Sequence, residues 1–320
     1  MFHDRQYPTS FRSLLELTSD TDEELRSEIE LRIKCACGAC SAAMLVTTQS
    51  DAVICGCAAC RRFHTTAFAA YVKCSAAVGS ALHELEALGF VDNCEQHGKV
   101  QRLSCTRCFS RLAAIVPPPS QETESSGEQV VLLALGAVED ASIPPVLAKR
   151  WQRACERADA LSLPQWWAAT PHQDGLSEGK RYKVITGGCS CGSCTFEAAV
   201  LPGETQHCYC NLCRRLSGSV AQTWVPCSND GFRWTSTAGL RMARTTRHGQ
   251  RHQCEKCGCT LTIVYDSQPD TTWPVAGAFD DSSLGDCRYC WYRVIHICCS
   301  MMQPWYRLPD DKLPRLKYAG

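Results

Sequence analysis

The chain has 320 residues, with 33 basic and 33 acidic side chains and therefore no net charge. That length suits about two domains, and the charge balance removes the electrostatic reason to expect nucleic acid or an anionic membrane surface as a partner. The longest apolar run, Val130 to Val138, is nine residues, where a bilayer span needs roughly 20.

Residues 1–30 are polar and charged and read as an N-terminal extension. Met1-Phe-His-Asp-Arg-Gln-Tyr-Pro8 has no basic segment leading into an apolar stretch, so it does not read as a secretory signal. Ser19 to Leu25 carries the polar cap and early acids of a helix start. The expectation is a soluble cytoplasmic protein, with the nucleus as the alternative. From Leu31 the apolar residues come in short β-type stretches punctuated by Gly and Cys, among them Ala43–Thr48, Ala67–Val72 and Val130–Leu135. Pro117-Pro118-Pro119 and the polar residues to Gly127 read as a surface loop inside this unit. Residues 145–160 interleave Val146, Trp151 and Ala154 with Lys149, Arg150, Arg153 and Arg157 and read as helical, which sets a first domain at 31–160. A linker over 161–180, polar and rich in turn formers from Thr170 to Gly179, leads to a strand from Tyr182 and a second domain over 181–313. The fold class is mainly β with few short helices.

The 25 cysteines are not scattered. Cys35-x-Cys37-x-x-Cys40, Cys55-x-Cys57-x-x-Cys60 and Cys105-x-x-Cys108 recur as Cys189-x-Cys191-x-x-Cys194, Cys208-x-Cys210-x-x-Cys213 and Cys254-x-x-Cys257. Offsets of 154, 153 and 149 residues separate Cys35 from Cys189, Cys55 from Cys208 and Cys105 from Cys254, the mark of a tandem duplication. Thiols stay reduced inside cells, so knuckle spacing argues for metal over disulfides. Short knuckles present two sulfurs from one tight turn and suit a tetrahedral ion at about 2.3 Å, with zinc the first to consider. Each unit offers eight motif cysteines, where a closed site takes four and a catalytic one keeps three plus an open position. Spacing alone leaves the partition open.

Gly187-Gly-Cys-Ser-Cys-Gly192, His207-Cys-Tyr-Cys-Asn-Leu-Cys-Arg-Arg-Leu-Ser-Gly218, Cys254-Glu-Lys-Cys-Gly-Cys-Thr-Leu261, Gly277-Ala-Phe-Asp-Asp281 and His296-Ile297, in that order, resemble the glutathione-dependent formaldehyde-activating enzyme family, which includes centromere protein V. The resemblance implies two tandem Mss4-like zinc-bound β modules, with up to two Zn2+ per domain and four per chain. It implies structural sites at Cys189, Cys191, Cys254 and Cys257 and at Cys35, Cys37, Cys105 and Cys108. It further implies central sites with an open position at Cys208, Cys210 and Cys213, the reactive set, and at Cys55, Cys57 and Cys60. The first unit matches less completely. Phe109 stands where a glycine is expected, which predicts an altered turn; Gly136-Ala-Val-Glu-Asp140 is similar to Gly277–Asp281; and His296-Ile297 has no counterpart.

The function implied is a carbon–sulfur lyase acting on a glutathione-like thiol and a small aldehyde, with its reactive site in the second domain. The alternative is a non-catalytic zinc module for protein or chromatin association, which the absence of a basic arm disfavours. The oligomeric state is left open, as is the use of the spare Cys40 and Cys194, the candidates for closing the central sites. Arg61, Arg62, Arg214 and Arg215 follow the central knuckles and suit either ligand carboxylates or salt bridges. Asp280 and Asp281 read as a turn rather than a base, and His207 as a packed residue beside a ligand. Cys287, Cys290, Cys298 and Cys299 fall outside the repeat, and Trp166, Trp167, Trp273, Trp291 and Trp305 read as core.

Overall fold

A computed structural model describes residues 27–74, 85, 87–94, 98–116, 130–159, 164, 166–167, 183–200, 204–284, 293–308 and 310–318. The helix start at 19–25, the Pro117–Gly127 loop, the 170–179 stretch, Cys287, Cys290 and Trp291 lie outside the described residues. The first unit comprises strands β1 (Glu28–Lys34), β2 (Ser41–Thr47) and β3 (Ala52–Cys55), helix α1 (Ala58–His64), strands β4 (Ala69–Cys74), β5 (Ala87–Cys94), β6 (Gly98–Cys105), β7 (Arg111–Val116) and β8 (Val130–Ala134), and helix α2 (Pro145–Asp159). The second comprises β9 (Lys183–Gly188), β10 (Cys194–Val200), β11 (Glu204–Cys208), α3 (Asn211–Ser217), β12 (Gln222–Trp224), β13 (Cys227–Ser228), β14 (Phe232–Thr237), β15 (Leu240–Thr246), β16 (Gly249–Cys254), β17 (Thr260–Tyr265), β18 (Gln268–Pro274), α4 (Asp281–Leu284) and β19 (Arg293–Ile297). The chain is mainly β, as its patterning predicts, and no described helix is long and apolar enough to cross a membrane.

In the first unit β1 and β2 form a hairpin, and six strands run in the order β3-β4-β8-β7-β6-β5, all antiparallel. The unbroken apolar run from Val131 to Ala134 belongs to β8, buried on both faces between β4 and β7, where alternation has no reason to appear. In the second unit β15 and β16 repeat the hairpin of β5 and β6, followed by β17, β18 and β13. A separate three-stranded sheet places β11 between β12 and β19, and β11 pairs with β19 in parallel, Cys208 opposite Ile297. In the first unit β3 is an edge strand instead. Helix α2 lies against it, Trp151 Nε1 donating to Ser50 O at 2.9 Å and Arg150 pairing with Asp51 at 2.7 Å, which shields an edge otherwise open to pairing.

The two units dock through matching parts. Each central knuckle runs into a seven-residue helix, α1 or α3, whose C-cap is left-handed at Thr65 (φ 53°) or Gly218 (φ 69°). Against the cap of α3 sits the first unit's 3-10 turn at Leu135–Ala137, and against the cap of α1 sits the second unit's turn at Ala276–Ala278. A Cβ on Gly136 would lie 2.3 Å from Arg214 O, and one on Gly277 would lie 2.2 Å from Thr66 N. The hydrogen bonds follow the same two-fold logic: Thr66 Oγ1 donates to Ala221 O and Ser219 Oγ to Phe68 O, both at 2.7 Å. The residues after each turn reach the arginines of the opposite helix. Arg214 makes a forked pair with Asp140 at 2.8 and 3.1 Å, Arg62 pairs with Asp280 at 2.5 Å, and Arg61 pairs with Asp281.

The side-chain carbon added by Gly277→Ala meets backbone rather than a mobile side-chain tip, so the substitution is expected to destabilise the full chain by about 1–3 kcal/mol. Urea unfolding at fixed metal content measures this, and an unchanged midpoint would show that the two units are not held by this contact.

Candidate metal centres

The fold brings the cysteines into four groups, in each of which every sulfur lies within 4.8 Å of the others: Cys35, Cys37, Cys105 and Cys108; Cys189, Cys191, Cys254 and Cys257; Cys55, Cys57 and Cys60; and Cys208, Cys210 and Cys213. The two four-sulfur groups join the knuckle after β1 or β9 to the turn after β6 or β16. Sulfur–sulfur separations of 3.5 Å (Cys35–Cys37), 3.7 Å (Cys37–Cys105), 3.4 Å (Cys189–Cys191) and 3.6 Å (Cys191–Cys254) approach the edge of about 3.8 Å that a tetrahedron with 2.3 Å metal–sulfur bonds requires. The donor set fits zinc. Cys40 and Cys194, the spare thiols, stay with these groups rather than closing the central ones: their amides donate to Cys35 Sγ at 3.2 Å and Cys189 Sγ at 3.3 Å.

The turn at Phe109 corrects the expectation of altered geometry. Phe109 adopts φ 59°, where Gly258 has φ 72°, and its amide donates to Cys105 O at 2.9 Å as that of Gly258 donates to Cys254 O at 2.7 Å. The left-handed backbone costs a non-glycine residue about 1 kcal/mol or more. Phe109 is 3 % exposed and its ring lies 5.2 Å from the Arg241 guanidinium, so burial and a cation–π contact offset the strain.

Each three-sulfur group spans the end of a strand and the start of a helix. Cys57 and Cys210 are the N-caps of α1 and α3, their sulfurs accepting from Cys60 N and Cys213 N at 3.4 Å. Within each group one sulfur is favoured as thiolate. Hydrogen bonds from Cys55 and Cys57, aided by the Arg102 guanidinium, hold Cys60 well below the usual thiol range. Bonds from Cys208, Cys213 and Cys298 do the same for Cys210. Cys298, which follows Ile297 in β19 and has φ 58°, thus brings a further thiol to the second group, although it falls outside the compact set.

Sequence reasoning missed two arginines. Arg102, 1 % exposed, donates to Cys60 Sγ through both terminal nitrogens at 3.6 Å, and Arg251, 2 % exposed, donates to Cys213 Sγ at 3.6 Å. Both stand three residues before the late CxxC pair of their unit, a repeated offset that could have marked them. The helix arginines Arg61, Arg62 and Arg214 are held in ion pairs across the interface, the salt-bridge alternative rather than the ligand-carboxylate one, while Arg215 is half-buried. Asp280 accepts from Thr186 Oγ1 at 2.6 Å as well as from Arg62, and so pins a turn. Trp166, Trp167, Trp273 and Trp305 are core, as expected.

Three buried histidines surround these groups. His64 Nδ1–H donates to Ser217 O at 2.5 Å and Nε2 accepts from Tyr71, whose hydroxyl also accepts from Arg102 at 3.3 Å. His296 Nε2–H donates to Asp311 at 2.8 Å while Nδ1 accepts from Tyr209, inside the second knuckle, at 3.0 Å. His207 bonds Thr223 at 2.8 Å and packs against Trp167, a packed residue as the sequence reads. Burial lowers all three, His64 to about 3.

Residues 30–153 and 184–294 match the profile of a family described as glutathione-dependent formaldehyde-activating enzyme. No curated protein matches the chain. A crystal structure of a Rhodobacter sphaeroides protein is similar at 21% identity, covering 31% of this chain and 94% of its own, with a TM-score of 0.27.

Below its unfolded value of about 6.5, His64 takes up a proton in the unfolded chain that the folded chain refuses until about pH 3. Stability present above pH 6.5 is therefore lost as the pH falls through that window, by at most about 1.4 kcal/mol per pH unit for each such histidine. Urea unfolding at pH 7.5 and 5.5 should show a shallower decline for His64→Gln than for the parent, and equal declines would refute the assignment.

Proposed function

The chain belongs to the glutathione-dependent formaldehyde-activating enzyme family, and on that premise we propose that its second module is a zinc-dependent carbon–sulfur lyase site joining a glutathione-like thiol to a small aldehyde. One observation carries the reading: the compact groups come as four sulfurs and three sulfurs in each module, the difference between a closed site and one with a position left for substrate. Cys189, Cys191, Cys254 and Cys257 would hold a structural zinc and Cys208, Cys210 and Cys213 a reactive one, with Cys35, Cys37, Cys105 and Cys108 and then Cys55, Cys57 and Cys60 doing the same in the first module. A zinc bound by three thiolates supplies a soft Lewis-acid position at which a substrate thiol loses its proton near neutral pH.

The residues of this chain would orient that position. Cys210 caps α3 and is half-buried, while Cys208 and Cys213 are buried, so Cys210 lies at the most exposed corner of the group. The Cys213 amide and the Arg251 guanidinium hold two of the three sulfurs by hydrogen bonds, as surrounding groups commonly do for metal ligands. In the reaction the thiol sulfur forms a bond to the aldehyde carbon, the carbonyl π-bond opens, and the proton released by the thiol ends on the new hydroxyl. With formaldehyde and glutathione the product is S-hydroxymethylglutathione.

The test is an assay of the zinc-loaded full chain with glutathione and formaldehyde, beside Cys210→Ser and Cys189→Ser. Cys210→Ser is expected to lower turnover by about a hundred-fold or more with the unfolding midpoint little changed, whereas Cys189→Ser is expected to cost the fold, since structural zinc contributes on the order of 10 kcal/mol. An inactive parent protein, or a Cys210→Ser that unfolds as Cys189→Ser does, would leave a structural zinc scaffold for association.

A further inference from the structure

Duplication makes each module a control for the other, and the two central groups differ in one charge. Arg102 and Arg251 occupy the same place, three residues before the late pair, each buried and each on the third sulfur of its group. Their strand partners are equivalent too: Arg102 on β6 lies opposite Phe90 on β5, and Arg251 on β16 lies opposite Ala243 on β15. Two residues beyond that partner stands Asp92 in the first module, opposite Val100, and Thr245 in the second, at a break in the register of β15 with β16. Asp92 Oδ2 accepts from Arg102 Nε at 3.1 Å and from its terminal nitrogen at 3.0 Å. Thr245 Oγ1 accepts from Arg251 at 2.5 Å, and Arg251 Nε has no hydrogen-bond partner. Among the described residues Arg251 makes no ion pair.

We propose that this position decides which central site takes an anionic fourth ligand: Arg251, with no acid beside it, makes the second module's site receptive to a thiolate, and Asp92 makes the first module's site refuse one. The proposal rests on the reading that these groups hold zinc and bind a substrate thiol. Three thiolates around a divalent ion leave one negative charge. Arg251 cancels it, so an arriving thiolate brings the second site to a single negative charge. In the first module Arg102 is already answered by Asp92, the site starts with one negative charge, and a thiolate would bring it to two. Of the helix arginines, Arg61 and Arg214, equivalent in the two modules, are each paired with an acid of the opposite module, whereas Arg62 is paired with Asp280 and its equivalent Arg215 is in no ion pair among the described residues, which adds to the contrast in the same direction. One unit charge a few ångström away in a largely buried setting changes binding by about ten- to a hundred-fold.

Exchanging the two side chains tests this, since threonine and aspartate are alike in size. The full chain is loaded with Co2+ in place of zinc and titrated with glutathione without aldehyde, following the sulfur-to-cobalt absorption and the stoichiometry by calorimetry. The parent chain should bind one glutathione tightly. Thr245→Asp should weaken that binding by about ten- to a hundred-fold, and Asp92→Thr should add a second site. Unchanged cobalt content and unfolding midpoint show that the variants are folded; loss of either in Thr245→Asp leaves Asp92→Thr as the deciding variant. Two tight sites in the parent, a Thr245→Asp that binds as the parent does, or no second site in Asp92→Thr would each overturn the proposal. A parent that holds cobalt and takes up no glutathione would overturn the thiol-site reading itself, and the proposal with it.

Discussion

At Gly136 and at Gly277 one module's backbone rests directly on the helix that follows the other module's central knuckle, with no space for a side-chain carbon at either contact. Much else in the molecule is arranged around these two meetings. The knuckle sulfurs sit at the N-terminal ends of α1 and α3, while the glycine turns meet the C-terminal ends. A seven-residue helix is too short to be stable on its own, so the turn that presents each three-sulfur group is braced by the neighbouring module. The flanking ion pairs and the Thr66 and Ser219 hydroxyls satisfy polar groups that so close an approach would otherwise leave buried and unpaired. Duplication has thus produced one body with two mutually supporting halves.

Mutual support explains why some of the chain was legible as sequence and some was not. Cysteine spacing is a local property, and it marks the six knuckles because each fixes its sulfurs within a few residues; which knuckles share a group is left open by spacing and comes from the resemblance. Short apolar runs located β2, β4 and β8, and the helix at 145–160 appears as α2, Pro145–Asp159. The roles of Arg61, Arg62, Arg214 and Asp280 depend instead on partners 74 to 220 residues away, and nothing local distinguishes an arginine that waits for a ligand from one that meets an acid across an interface. Phe109 misled for a related reason: the rule that a left-handed turn wants glycine is sound, but tertiary burial and Arg241 outweigh it.

The two modules have kept their clustered cysteines and changed what surrounds them. The fourteen clustered cysteines recur in register, while their neighbours diverge: His64 answers to Ser217, Tyr71 to Trp224, and Ser110 to Cys259. In the first module His64, Tyr71, Arg102 and Asp92 form a continuous hydrogen-bonded set beside Cys60. In the second, Trp224 lies 5.5 Å from the Arg251 guanidinium and makes no hydrogen bond through Nε1. A satisfied polar network rigidifies what it touches, so the first module's central group is the more tightly determined of the two.

Buried charge carries this contrast to the sulfurs. A guanidinium out of contact with water needs a counter-charge, because the desolvation cost of an unpaired ion amounts to several kcal/mol. Arg102 has Asp92 as well as Cys60, so its burial is compatible with any charge on the sulfurs. Arg251 has a hydroxyl, a ring face and Cys213, and of these only the sulfur can carry negative charge. Burial of Arg251 therefore favours negative charge on these sulfurs, which the second module carries on Cys210 rather than on Cys213. The residue that favours this charge lies on β16 rather than in the cysteine knuckle, and a cation that binds the group displaces the protons of Cys208 and Cys213.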